Sequence, residues 1–97
     1  MFRELCKRGA MEITGHAMRK MIERKITKHD VRTAIMTGEI IENYPDDYPF
    51  PSCLMLGSNG LHVVAAIGEG RLFIITSYWP DVDKWEADLK TRKKGTE

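Results

Sequence analysis

The sequence of 97 residues is poor in cysteine, contains no long hydrophobic run and has almost no net charge. Its two cysteines, Cys6 and Cys53, lie far apart and form no CxxC motif, so we expect free thiols, with a disulfide as the alternative. No apolar stretch reaches the ~20 residues of a membrane-spanning helix, and the first residues lack the apolar region of a secretory signal. These absences predict a cytoplasmic protein with no membrane partner.

Several motifs of cofactor and metal chemistry are also missing. The sequence contains no GxGxxG, no P-loop and no GxSxG motif, which argues against nucleotide cofactors and serine hydrolysis. Its histidines and cysteines show no HxxxH or CxxC spacing, so we expect neither a metal nor another cofactor. With a net charge of +1, any binding of nucleic acid must come from a local basic patch.

The most informative stretch that is present is an amphipathic segment at residues 14–26. Wound as a helix, it places Ala17, Met18, Met21 and Ile22 on one side. The other side carries His16, Arg19, Lys20, Glu23 and Arg24. Arginine and lysine on one helix face are suited to phosphate binding, and a solvated helix surface is the alternative interpretation.

The order of the remaining patterns predicts an α+β fold in a single domain, residues 1–97. A short amphipathic helix (1–8) and an extended segment (10–13) precede the basic helix, for which Thr14 is the expected N-cap. A second helix begins at a capping box formed by Thr27 and Asp30. Beyond it the period changes to that of strands, at residues 39–44, 52–56, 61–67 and 71–78.

The end of the chain has a helical pattern in the sequence. Asp81 or Asp83 can cap a last helix that carries Val82, Trp85 and Leu89, and residues 90–97 are expected to be a frayed basic tail. We therefore predict a helical pair packed on a four-stranded, largely antiparallel sheet, with short terminal helices.

Acid–base chemistry has three candidate side chains. His16 and His62 could act as base and acid, because histidine titrates near neutral pH, and Tyr78 could donate a proton through its phenol. His62 alternates with apolar residues in a strand, so a structural histidine is the other interpretation. Trp79 and Trp85 could stack on RNA bases, although closing the edge of the core is the favoured interpretation.

Several of these residues belong to a pattern shared with a known protein family. The sequence resembles a small prokaryotic family described only as a domain of unknown function. The shared pattern is HAxxxMxxRxI at residues 16–26, GEIIExYP at 38–45, LHVV at 61–64, ITxY at 75–78 and Trp85. Such proteins are often encoded beside a zinc-finger antitoxin of the YgiT or MqsA type, and their element order is similar to that of the RelE, MqsR and BrnT toxins.

The resemblance implies a RelE-like fold and a metal-independent endoribonuclease that cuts messenger RNA, on the ribosome or off it, and is silenced by a zinc-finger antitoxin. It implies that His16 or His62 deprotonates the ribose 2′-hydroxyl and that the other imidazole or Tyr78 protonates the leaving oxygen. Arg24 would stabilise the phosphate. Further RNA-binding residues would be Arg19, Lys20 and Thr76. The alternative is a non-catalytic module of the same fold that binds nucleic acid or protein.

Overall fold

The computed structural model describes residues 1–93. Its helices are α1 (Phe2–Lys7), α2 (Gly15–Arg24) and α3 (Lys28–Thr37). Its strands are β1 (Met11–Ile13), β2 (Glu39–Tyr44), β3 (Ser52–Leu56), β4 (His62–Gly68) and β5 (Arg71–Tyr78). They form one sheet in the order β1-β5-β4-β3-β2, in which β1 runs parallel to β5 and the other neighbours are antiparallel. Within residues 1–93, no helix has the length and apolar character needed to cross a membrane.

The predicted α+β class, with helices packed on a sheet, is confirmed, but the predicted four-stranded sheet is wrong. The extended segment after α1 becomes a fifth strand, β1, and makes the sheet mixed. Backbone hydrogen bonds join Leu72 N to Ala10 O and Thr14 N to Ile74 O at either end of this pairing. A strand of three residues is too short to show a periodic pattern, and its partner lies about 60 residues away in the chain.

Both helices of the central pair begin at the predicted caps. The Thr14 hydroxyl accepts a hydrogen bond from Ala17 N at 3.1 Å, and Lys25 ends α2 in the left-handed region with φ of 57°. At the start of α3, the Thr27 hydroxyl accepts from Asp30 N while the Asp30 carboxylate accepts from Thr27 N. These bonds satisfy backbone donors that the first turn of a helix leaves unpaired, which fixes where each helix starts.

The apolar core lies between the three helices and one face of the sheet, called here the helix face. Its fully buried members include Val31, Ala34 and Ile35 from α3 and Leu72 and Ile74 from β5. The approach of α3 to the sheet is close at Gly57, where an added Cβ would lie 2.5 Å from the Cα of Ala34. Glycine at position 57 therefore lets the helix sit against the turn that follows β3.

The predicted C-terminal helix is wrong. Residues 79–93, called here the C-terminal segment, form successive turns and an antiparallel bridge between Trp85 and Arg92. The Asp81 carboxylate accepts from Asp83 N, and the Asp88 carboxylate accepts from the backbone N–H groups of residues 90 and 91. Aspartate side chains that bond to nearby backbone compete with the helical pattern, and here the turns prevail.

The expected frayed tail, residues 90–97, falls partly inside the described residues. Lys90 pairs with Glu39 at 2.7 Å and Arg92 pairs with Glu42 at 2.9 Å, so the described part of this stretch is held against β2. Residues 94–97 lie outside the described part of the chain. Strand β2 thus anchors the C-terminal segment across the sheet face opposite the helices, called here the second face.

Candidate functional site

The second face carries a cluster of polar and aromatic side chains around His62. His62 opens β4 opposite Tyr78, the last residue of β5, and its side chain is completely buried. Its Nδ1 lies 3.3 Å from the Tyr78 hydroxyl, and its Nε2 lies 2.7 Å from the carbonyl oxygen of Leu89. The imidazole is therefore bound between a strand and the C-terminal segment.

These contacts determine the protonation of the ring. A carbonyl oxygen can only accept a hydrogen bond, so Nε2 of His62 carries the proton and donates it to Leu89 O. In the neutral imidazole, Nδ1 then accepts from the hydroxyl of Tyr78. Burial lowers the pKa of His62 below its usual value of 6.5, against the smaller opposing effect of the Leu89 hydrogen bond. His62 is thus a neutral base whose available lone pair is directed at Tyr78.

An aromatic and ionic layer covers this pair. The Trp85 ring meets the His62 ring edge-on with centroids 4.5 Å apart, and the guanidinium of Arg92 lies 4.6 Å from the Trp85 centroid. Arg92 also donates to both carboxylate oxygens of Glu42, at 2.9 and 3.0 Å. The Tyr44 hydroxyl donates to the same carboxylate at 2.6 Å. The arrangement joins β2 to the C-terminal segment and seals one side of the histidine.

Two tyrosines and one acid in this layer have altered acidity. Hydrogen bonds from Arg92 lower the pKa of Glu42, so its carboxylate stays ionised. Burial, followed by the hydrogen bond to Glu42, raises the pKa of Tyr44 to about 12. Burial also raises the pKa of Tyr78. Both phenols therefore keep their protons at neutral pH and act as hydrogen-bond donors.

Arg24 reaches the same end of the sheet from the opposite side. It stands in the last turn of α2, and its Nη1 donates to the carbonyl oxygen of Ser77 at 2.7 Å. Ser77 precedes Tyr78, so this bond holds the guanidinium at the backbone next to Tyr78, close enough for its charge to act on the pKa of the phenol. The guanidinium of Arg24 forms no other hydrogen bond within residues 1–93, which leaves its remaining N–H groups available to an anion.

Of the residues predicted for catalysis, the structure brings together Arg24, His62 and Tyr78. The fourth, His16, is exposed in the first turn of α2, eight residues or about 12 Å along the helix axis from Arg24. Its imidazole forms no hydrogen bond or ion pair with any other residue in 1–93. Among the described residues His16 therefore stands apart from the cluster.

The predicted RNA-binding residues are spread over two surfaces. Arg19 and Lys20 lie on α2, and Lys20 pairs with Glu23 at 3.3 Å. Thr76 lies on the second face, opposite Val64 and two residues before Tyr78. The favoured interpretation of Trp85 as a buried edge residue agrees with its 4% exposure, whereas Trp79 is 44% exposed.

Glu42 and Arg92 are parts of this site that the sequence did not predict. Glu42 belongs to a shared motif but carries no local sign of a partner, and Arg92 lay in the expected tail. Their contact joins residues 50 positions apart, so no pattern within either segment could indicate it. Among residues 1–93, no three histidine, cysteine or acidic side chains come together in a way that could hold a metal ion.

These features define an α+β protein with a mixed five-stranded sheet, helices on one face and a histidine-centred polar cluster on the other. The chain belongs to the DUF4258 family, a domain of unknown function, whose family model matches residues 13–79. The expected membership in a family of unknown function is confirmed. The matched region contains Arg24, His62 and Tyr78 and ends at residue 79, the first residue of the C-terminal segment. Neither a curated protein nor a solved structure matches the chain.

Proposed function

We propose that this protein is a toxin-like, metal-independent endoribonuclease of RelE-like fold. The supporting observation is that Arg24 is bound to the backbone next to Tyr78, the partner of His62, because the three groups come from separate elements and supply complementary chemistry. Cleavage of RNA by attack of its own 2′-hydroxyl needs a base that takes the hydroxyl proton, a group that passes the proton on, and a cation at the phosphate. The proposal includes action in the cytoplasm on messenger RNA, with or without the ribosome, and inhibition by a zinc-finger antitoxin.

The proposed reaction uses Tyr78 as the group that meets the substrate. The ribose 2′-hydroxyl gives its proton to the Tyr78 oxygen while Tyr78 gives its own proton to Nδ1 of His62. The 2′-oxygen attacks the neighbouring phosphorus, the bond to the 5′-oxygen breaks, and that oxygen takes a proton from a water molecule. The hydroxide that remains takes a proton from Tyr78, which recovers its own from Nδ1 of His62, so both side chains return to their starting state. The products are a 2′,3′-cyclic phosphate and a 5′-hydroxyl.

Two other contacts support these roles. The Leu89 carbonyl accepts from Nε2 of His62 and stabilises the imidazolium that forms when Nδ1 is protonated. The Arg24 guanidinium, fixed by Ser77 O, faces the negative charge that grows on the phosphate. We propose that His16, Arg19 and Lys20 contact the RNA backbone further along α2, and that Thr76 contacts it on the second face.

A second candidate function is a non-catalytic module that binds nucleic acid or protein. The observation that favours it is the complete burial of His62, whose two ring nitrogens already have partners. In that case the imidazole would only join β4 to the C-terminal segment, and the basic surface of α2 would be a docking surface.

Metal-free RNA cleavage separates the two candidates. The purified chain is incubated in EDTA with single-stranded and structured RNA, with and without ribosomes, and products are analysed for 2′,3′-cyclic ends. We expect cleavage that falls by at least about 100-fold in Arg24→Ala and in Tyr78→Phe, the usual scale for such groups. Arg71→Ala is the matched control, since Arg71 pairs with Glu12 at the far end of β5.

Circular dichroism confirms that each variant is folded. Loss of cleavage in the two site variants with retention in Arg71→Ala supports the nuclease. Intact RNA under every condition, with a chain that still binds RNA or protein, overturns it in favour of the binding module.

A further inference from the structure

A cavity of about 180 Å³ opens on the second face, at the opposite end from His62. Its walls come from β3, β4, β5 and the proline-rich segment of residues 45–51, and include Asp47, Phe50, Ser52, Ala66, Phe73 and Ile75. The rings of Phe50 and Phe73 are stacked with centroids 5.7 Å apart. Most of this lining is apolar, and its polar side-chain groups are the Asp47 carboxylate and the hydroxyl groups of Ser52, Thr14 and Tyr48.

We propose that this cavity is a subsite for a single unpaired nucleobase, with guanine as the preferred base. This inference rests on the proposed function, because it assigns one nucleotide of the RNA substrate to the cavity. Its size is suitable, since a dry protein cavity of about 150 Å³ accommodates benzene, and this one is larger and open to solvent.

The aromatic walls supply the first part of base recognition. Single-stranded RNA is commonly held by splayed bases that pack on aromatic side chains. Here Phe50 and Phe73 form the wall, and Tyr48 stands at the rim with 94% of its surface exposed. An exposed tyrosine beside an apolar cavity offers a planar group that can close over a bound base.

The polar group of the cavity supplies selectivity. Asp47 accepts a hydrogen bond from the Ser52 hydroxyl, and Ser52 is itself buried, so the carboxylate has a defined orientation. A carboxylate can only accept hydrogen bonds and repels phosphate, which favours a base edge with N–H donors. Guanine presents two adjacent N–H groups on its Watson–Crick edge, whereas uracil presents one between two carbonyl oxygens. Charge and hydrogen-bond complementarity thus point to guanine.

The position of the cavity suits a strand of RNA that also reaches Tyr78. Ala66 and Phe73 are paired neighbours on the second face, as are His62 and Tyr78. Along β5, Ile75 precedes Tyr78 by three residues, or about 10 Å, with Thr76 between them. An extended RNA can therefore place one base in the cavity while its backbone crosses Thr76 toward the site of cleavage.

Binding is measured on the whole chain, without RNA cleavage. The protein is titrated with each of the four ribonucleoside 5′-monophosphates while NMR follows the methyl groups of Ala66 and Ile75, which line the cavity. The methyl groups of Ile35, in the core of the helix face, are the internal reference. We expect guanosine monophosphate to shift the cavity methyls most strongly, uridine monophosphate least, and none to shift Ile35.

Two aspartate variants test the basis of selectivity. Asp47→Asn removes one charge from the cavity and is expected to weaken guanosine monophosphate binding at least about tenfold, as expected for a hydrogen bond to a charged group. Asp46→Asn is the matched control, because Asp46 is the adjacent residue, is exposed as Asp47 is, and does not line the cavity. It should leave binding unchanged.

A third variant tests the aromatic wall. Gly68→Ala adds a Cβ that would lie 2.5 Å from the ring of Phe50, so it should displace that ring and weaken the binding of all four nucleotides. Cavity methyls that do not move, equal responses to the four nucleotides, or equal effects of the two aspartate variants would overturn the subsite.

The test separates this inference from the proposed function. Guanosine monophosphate binding in a chain that leaves RNA intact supports the subsite and overturns the nuclease. If cleavage depends on Arg24 but none of the four nucleotides shifts the NMR signals of the cavity methyl groups, the nuclease is supported and the subsite is overturned.

Discussion

The two faces of the sheet are covered in different ways. The helix face is packed against three helices, and its interior contains apolar side chains such as Ile35, Leu72 and Ile74. The second face is covered by two irregular segments, and its interior contains the buried His62 and the half-buried Tyr78, with the ion pair of Glu42 and Arg92 at its surface. The cavity beside Phe50 also lies on this face.

The difference indicates that stability and candidate chemistry are assigned to opposite sides of one sheet. Regular helices bury a continuous apolar surface, which is the main favourable contribution to folding. Irregular segments carry turns and polar groups, which leave space for a cavity and hold titratable side chains in place. Three predictions test this contrast.

The largest effect is expected on the helix face. Ile35 is fully buried in α3, so Ile35→Ala leaves a cavity and should lower the free energy of unfolding by about 2–5 kcal/mol. Ile22 is 72% exposed on α2, and Ile22→Ala should change it by no more than about 0.5 kcal/mol. Urea denaturation measures both. Equal losses in the two variants would contradict the assignment of the core to the helix face.

The second prediction concerns the pH dependence of stability at His62. Because its folded pKa is lowered below 6.5, the unfolded chain binds a proton between those two values that the folded chain does not. The free energy of unfolding should therefore be highest above pH 6.5 and fall on acidification, by at most about 1.4 kcal/mol per pH unit for this single group.

Denaturation curves between pH 7.5 and 5.5 measure this slope. The interval lies above the usual value of 4.5 for Glu42, whose lowered pKa affects stability only at more acid pH. His62→Gln, which keeps a side-chain donor but does not titrate, should have a shallower slope. If His62→Gln had the same pH dependence of the free energy of unfolding as the unaltered chain, burial of this imidazole would not be the cause of the loss of stability in acid.

The smallest effect is expected at the ion pair that holds the C-terminal segment. The side chain of Arg92 is 57% exposed, so its coupling with Glu42 should be about 0.2–1 kcal/mol in a double-mutant cycle. The pair of Arg71 with Glu12, exposed at 53% and 47%, is the comparison and should give less, since Arg92 bonds both carboxylate oxygens. A larger coupling energy for the Arg71–Glu12 pair would contradict the expectation that the ion pair on the second face is the stronger of the two.

Much of the fold could be predicted because the deciding contacts are local. Thr14, Thr27 and Asp30 form caps with groups three residues away, and such bonds depend little on the rest of the molecule. The four longer strands also agreed with their sequence patterns. The C-terminal helix was wrong because its spacing of apolar residues matched a helix, while Asp81 and Asp88 favoured turns.

The candidate site could be predicted only in part. Arg24, His62 and Tyr78 were recognisable as residue types suited to acid–base and phosphate chemistry, but their convergence depends on α2 packing beside β5. The expectation that His16 takes part in acid–base chemistry stays a prediction. The partnership of Glu42 with Arg92 could not be foreseen, because it is formed across the sheet.

Local sequence patterns set the three helices, the longer strands and the kinds of reactive group, because propensity, capping and periodicity act over a few residues. Tertiary structure alone decided the parallel pairing of β1 with β5 and the path of the C-terminal segment. It also decided the burial of His62 against Leu89 and Trp85. These features depend on contacts between residues far apart in the chain, whose free energy is gained only once the sheet has assembled.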